Sequence, residues 1–230
     1  MKIIGLIGGI ASGKSHVSHC LHKLGAGIID VDEIGHEVIE IPEIADQMAM
    51  RWGSRFEPLE TCVVAPDPHL TYRAQIGKIV FNCAADLKFL EDITWPEIKR
   101  IIDRKISLYH PEHTQALVID FPMLIETGMD KQCDQLWLVD CPYEQRVKNF
   151  YLRRMAARSD LDEKASQERH RICEQKQVPL ATKRLMAHAT IVNDMTQNVE
   201  QQVLKAWGVL FPGTVCLHDG KLVETNGHYW

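Results

Sequence analysis

The stretch GLIGGIASGKSHVSH, Gly5 to His19, places glycines, a lysine and a serine between an apolar run and a helical pattern. Gly8, Gly13, Lys14 and Ser15 satisfy G-x-x-x-x-G-K-[ST], with Gly9, Ile10, Ala11 and Ser12 filling the loop. That spacing lets backbone amides converge on a phosphate, and the helix that follows adds the partial positive charge of its N-terminus. In such a loop Lys14 neutralises the β and γ oxygens of a nucleoside triphosphate, and the Ser15 hydroxyl holds Mg²⁺. The context is the expected one: Ile3 to Ile7 reads as a short buried strand, and Ser15 to Leu24 as a helix closed by Gly25.

Moving outward, AGIID (Ala26 to Asp30) reads as a second strand. Asp30 and Asp32 are spaced i, i+2 at its carboxyl end, so a strand would point both the same way, at the end of an α/β sheet where ligands bind. One of them could sit near the metal or accept a proton from a hydroxyl nucleophile, or either could cap the following helix. Residues 33–110 read as an all-helical insertion broken by Pro42, Gly53 and the loop EPLETCVVAPDPHL. Continuous apolar runs then return in ALVIDFP, near Val118, and in QLWLVD, ending at Asp140, as expected of strands buried on both faces of a parallel sheet. A last strand, ATIVN, precedes a helix from about Thr196 to Trp207.

The plan is a doubly wound α/β core with a parallel five-stranded sheet, formed by residues 1–32, 111–141 and 179–210. Residues 142–178 read as a basic, helical flap able to close over an anionic ligand. Residues 211–230 form an extension in which Asp219-Gly220 favours a tight hairpin turn.

Composition narrows the function. The formal net charge of −5 argues against nucleic-acid binding through an overall basic field. Yet Pro142 to Leu185 carries eleven Lys and Arg against six Asp and Glu, a local +5 that leaves −10 for the remainder. An anionic ligand is expected at that segment. Seven scattered cysteines with no C-x-x-C spacing suggest neither zinc nor disulfides and fit reduced thiols in a cytoplasm. No run approaches the roughly 20 apolar residues of a membrane span, and the N-terminal apolar run is interrupted too early for a signal segment. No obligate protein partner is evident.

Beyond the loop, Asp120 in VIDFP closes a strand beside the expected phosphate side and could contact metal through water or bind substrate. Arg154 and Arg158 lie four apart on one helical face, with Arg153 beside them. Arginines on a helical flap can stabilise charge on a transferring phosphoryl group. A guanine-nucleotide switch is disfavoured, because DEIG follows the loop too closely and no N-K-x-D motif exists.

Taken in order, these motifs resemble the dephospho-CoA kinase family over roughly Met1 to Gly208. GGIASGKS and IIDVD are similar to the family's opening loop and D-A-D strand end, and YRAQIGKIVF to its arginine-bearing helix. DFPMLIETG is similar to D-x-P-L-L-x-E, RRMAARSDL and RICEQ to the lid, and AHATIVND to A-D-x-V-I-x-N.

The resemblance implies ATP-dependent phosphorylation of the ribose 3′-hydroxyl of dephospho-CoA, giving CoA and ADP. Lys14 and Ser15 would bind ATP and Mg²⁺, and Asp32 would be the base on the 3′-hydroxyl. The fold implied is a P-loop kinase in which the helical insertion, residues 33–110, binds dephospho-CoA and residues 142–178 form the helical lid. Arg73, with Asp120 and Pro122, would hold dephospho-CoA. Arg158 would act on the phosphates as a catalytic lid residue, and Asn193 would lie near the adenine end of ATP. His16 occupies a loop position where the family usually has Thr, Trp95 one where it has His, and His188 one where it has Asp. Another nucleoside-monophosphate-type kinase, or a non-catalytic nucleotide-binding homologue, would share the loop.

Overall fold

The computed structural model describes residues 1–59, 61, 68–81, 83–110, 112, 114–157, 162–218 and 221–224. It divides into two compact units, Met1–Ile29 with Tyr109–Trp230, and Asp30–Leu108.

The first unit carries β1 (Lys2–Gly8), β2 (Gly27–Asp30), β3 (Ala116–Asp120), β4 (Gln135–Asp140) and β5 (Ala189–Val192). They form one sheet in the order β2-β3-β1-β4-β5, and the registered pairs of β1 with β3 and β4, and of β4 with β5, are parallel. Ala116 to Asp120 are all buried, and so are Leu136 to Val139, which is why these strands are continuous apolar runs and do not alternate. Tight packing selects glycine at Gly5, where a Cβ would lie 2.5 Å from Leu124 Cδ2 and 2.8 Å from Cys133 Sγ.

One face of the sheet is covered by α1 (Lys14–Lys23) and α9 (Val199–Leu210). Val17 and Leu21 of α1 meet Val203, Leu204 and Trp207 of α9 over Ile4, Leu6 and Trp137. Helices α6 (Tyr143–Ala157), α7 (Glu163–Glu174) and α8 (Leu180–Met186) belong to the same unit. Its C-terminal ribbon pairs β6 (Val215–His218) antiparallel with β7 (Lys221–Glu224). Asp219 and Gly220, read above as the turn, lie outside the described residues.

The second unit is helical, with α2 (Val31–Val38), α3 (Pro42–Trp52), α4 (Pro68–Phe81) and α5 (Ala84–Leu108). Its core is aromatic: Trp52 meets Phe56 edge-on at 5.5 Å, and Phe56 lies 5.4 Å from Tyr72. The buried Tyr72 hydroxyl donates to the Ile39 carbonyl at 2.9 Å, fastening α4 to the end of α2. Asp86, also buried, is held by Arg51 at 3.3 Å and Arg55 at 3.0 Å. Burial pushes the Asp86 carboxyl up, but the hydrogen bond and positive charge of Arg55, with a contribution from Cys83, outweigh it and leave the group below the usual carboxylate range.

Candidate active site

Three strand ends position the loop. Leu6 registers with Asp120 of β3, and Gly8, the last residue of β1, with Val139 of β4. The loop thus leaves the sheet at the carboxyl ends of neighbouring strands, where crossovers from β1 and β3 depart in opposite directions.

Two loop residues adopt left-handed backbone, Ala11 at φ 57° and Gly13 at φ 97°. Gly13 caps α1, and its conformation requires glycine because a Cβ would also sit 2.3 Å from Asn193 Nδ2. At Gly9 the constraint is purely steric, with Arg146 Nη1 2.4 Å from any added Cβ.

The loop's carbonyls are held by side chains. Lys183 Nζ of α8 donates to Gly8 O at 3.3 Å, and Lys14 Nζ to Gly9 O at 3.4 Å. Asn149 Nδ2 of α6 donates to Ala11 O at 3.2 Å, and Asn193 Nδ2 to Ser12 O at 2.8 Å. Because a trans peptide is planar, each held carbonyl fixes the opposite direction of the next residue's N–H. The donors therefore orient the amides that would face a phosphate.

Behind the loop lies a charged layer. Lys183, 1% exposed, pairs with Glu126 Oε1 at 3.4 Å and donates to Gln177 Oε1 at 3.3 Å. Burial lowers the Lys183 ammonium below its ordinary value, and Glu126 opposes that shift. Glu126 also accepts from the Val178 amide. Arg146, 3% exposed, donates to Cys141 O at 3.1 Å and pairs with Glu174 of α7.

His170, fully buried, packs with its ring nearly perpendicular to those of Tyr143 and Phe150, with Nδ1 3.8 Å from Glu174. Burial pushes its imidazole below the ordinary value. Glu174 and the Ile10 backbone oppose the shift, whereas Arg146 adds to it. A cavity of about 430 Å³ opens here, lined by Gly9, Tyr143, Glu174, Val178 and Lys183.

The other expected residues fall as follows. Lys14 is buried and Ser15 exposed in the first turn of α1, and Ile10 is half-buried. Asp120 is buried at the end of β3, and Pro122 is half-buried in the turn beyond it. Arg154 is half-buried on α6, its guanidinium 5.6 Å from the Phe150 ring centre. Arg158 lies outside the described residues.

In the helical unit Arg73 is half-buried on α4 and Asp32 is exposed in the first turn of α2. One geometric expectation is corrected: Asp30 and Asp32 do not share a strand face, because the helix starts at Val31. Asp30 instead caps it, its Oδ1 accepting from the Glu33 amide at 3.0 Å.

Asn193 reaches the loop itself through Ser12. His188 accepts from the Leu136 amide through Nδ1 at 3.0 Å, while its own amide donates to Leu136 O at 2.8 Å. The imidazole thus supplies the acceptor that a carboxylate could supply in its place.

Arg146, Asn149 and Lys183 escape sequence reasoning. They lie in a basic stretch that reads as a solvated, ligand-facing surface, and only packing reveals Arg146 and Lys183 as buried. The one available signal is that the segment's excess charge adjoins an otherwise acidic chain.

Comparison with known proteins agrees with this architecture. The family model described as dephospho-CoA kinase matches residues 2–199. The chain is 35% identical to the dephospho-CoA kinase of Synechococcus sp. (strain CC9605), covering 83% of this chain and 84% of that one. It is 33% identical to the dephospho-CoA kinase of Carboxydothermus hydrogenoformans, covering 89% and 92%. Among solved structures, a Thermus thermophilus protein aligns with a TM-score of 0.68 at 26% identity, over 92% of this chain and 98% of that one. The dephospho-CoA kinase of Campylobacter jejuni shares the fold, with a TM-score of 0.56 at 22% identity over 91% and 97%. A phosphate loop closing β1 and opening α1, in a chain so matched, settles the assignment: this protein belongs to the dephospho-CoA kinase family.

Proposed function

We infer that this enzyme transfers the γ-phosphoryl group of ATP to the ribose 3′-hydroxyl of dephospho-CoA, releasing CoA and ADP, the final step of CoA biosynthesis. The observation that carries the reading is the loop from Gly8 to Ser15, its carbonyls held by Lys183, Lys14, Asn149 and Asn193, in a chain of this family.

Phosphoryl transfer asks the protein mainly for positioning and charge. The loop amides and the start of α1 take the phosphates, and Lys14 exchanges its bond to Gly9 O for phosphate oxygens. Mg²⁺ would suit the hard oxygens of the Ser15 hydroxyl, of Asp32 and, through water, of Asp120. When bound it neutralises phosphate charge. Asp32 takes the proton of the attacking 3′-hydroxyl, a contribution of roughly 10²–10⁴-fold. Arg73 and Pro122 hold dephospho-CoA, and Arg154 and Arg158 stabilise the transferring group. We assign residues 142–178 to a lid and the helical unit to the acceptor.

No helix of the described residues is long and apolar enough to cross a membrane, and Cys20, Cys83, Cys133, Cys141 and Cys173 are free thiols. The free thiols suit the cytoplasmic setting proposed for the chain. An ADP-release assay with a panel of acceptors tests the reading. Dephospho-CoA should stimulate turnover strongly and nucleoside monophosphates weakly. Equal stimulation by monophosphates would assign a different kinase, and nucleotide binding without turnover a non-catalytic homologue.

A further inference from the structure

His16 stands one residue beyond Ser15, and its side chain belongs to a second cluster. His16 and Cys20 are i, i+4 on α1, so both project from one helical face. Their Nε2 and Sγ lie 3.9 Å apart. Glu200, in the first turn of α9, completes the group, and one ligand atom from each residue lies within 4.8 Å of the others. Cys20 is 2% exposed, Glu200 is half-buried and His16 faces solvent. The two helices that present them are locked together by Val17 and Leu21 against Val203 and Leu204. The donors therefore sit on packed helices and not on loops, the condition for a preorganised site.

We propose that His16, Cys20 and Glu200 form a binding site for a borderline transition-metal dication of the Zn²⁺ class, bridging α1 and α9. Imidazole, thiolate and carboxylate are zinc's three protein ligand types, with bonds of about 2.0–2.3 Å. A tetrahedral ion needs such atoms about 3.5 Å apart, so the pairs must close by about 1.3 Å at most, within reach of side-chain rotation. Solvent beside His16 supplies the fourth ligand.

Burial and the nearby Glu200 carboxylate raise the Cys20 thiol, while Lys23 opposes them, so without metal the thiol keeps its proton. Coordination forms the metal–sulfur bond and releases that proton to solvent. Sulfur also sorts the metals: Mg²⁺ prefers the oxygens at Ser15, and the softer ion takes the neighbouring triad.

The test is titration of the full chain with Co²⁺ and Zn²⁺ in excess Mg²⁺. One equivalent of Co²⁺ should give thiolate-to-metal charge-transfer absorption, displaced by Zn²⁺, and Zn²⁺ should raise the melting temperature by linkage. Cys20→Ser should abolish the band. Glu200→Gln should weaken Zn²⁺ binding at least ~10-fold and remove the melting shift, while keeping MgATP-dependent turnover. No band in the parent protein would overturn the proposal. So would an unchanged band and Zn²⁺ affinity in either variant, because the ion would then be bound at other cysteines.

Discussion

The phosphate loop is held through its carbonyls by Lys183, Asn149 and Asn193, with Arg146 packed against Gly9, whereas in the helical unit Asp32 lies exposed in the first turn of α2 and Arg73 is half-buried on α4. In the function proposed above, the two regions divide the labour of a kinase. Binding a phosphate with backbone amides demands a loop that cannot relax, and the side chains bonded to its carbonyls supply that rigidity. Choosing and deprotonating an acceptor demands groups that reach solvent and substrate. Substitutions around the loop should therefore cost stability and nucleotide affinity together, and substitutions at the acceptor residues should cost turnover or dephospho-CoA affinity with stability unchanged.

The largest effect is expected at Asp32. Asp32→Asn should lower kcat by roughly 10²–10⁴-fold while the ATP Kd and melting temperature stay near their parent values. A matching loss of stability would make Asp32 structural and break the contrast.

Next comes Lys183→Met, which strips Glu126 of a buried cation and Gly8 O of a donor. Thermal or urea unfolding should show a loss of about 3–5 kcal/mol, accompanied by a raised KM for ATP. Adding Glu126→Gln should restore much of the stability but not the KM, because the unpaired charge is gone while the loop carbonyl remains unheld.

Smaller effects sharpen the picture. Asn149→Ala and Asn193→Ala each remove one hydrogen bond of about 1 kcal/mol, so ATP Kd should rise about fivefold with kcat little changed.

Smallest is the pH response of His170. Its folded pKa is depressed, so below the unfolded value of about 6.5 the unfolded chain binds a proton that the native chain refuses. The stability it contributes is fully present above that pH and is lost as pH falls toward the folded pKa. Melting temperature should drop over that window, and His170→Phe should flatten the drop.

Much of this was legible in the chain itself. Buried parallel strands advertise themselves as unbroken apolar runs, and β1, β3 and β4 lie where those runs are. The loop motif is local, so its glycines, Lys14 and Ser15 could be placed before any contact was known. The five-stranded parallel sheet followed from the order of the elements.

What was not legible depends on tertiary packing. Arg146 and Lys183 sit on helices whose composition matches a solvated surface, yet both are buried against Gly8 and Gly9. The strand-face reading of Asp30 and Asp32 failed because α2 begins one residue after Asp30, so a period of two no longer applies. His188 was visible as an unusual residue, but its use as an acceptor for the Leu136 amide needed the β4–β5 register.

The most direct test of the central claim is the identity of the product formed from ATP and dephospho-CoA by the purified chain, read by mass and phosphorus NMR. The account predicts stoichiometric ADP and a CoA product carrying one new phosphomonoester on the ribose 3′-oxygen, absent from Asp32→Asn over the same time. A phosphate attached elsewhere, or ADP and inorganic phosphate with dephospho-CoA unchanged, would contradict it.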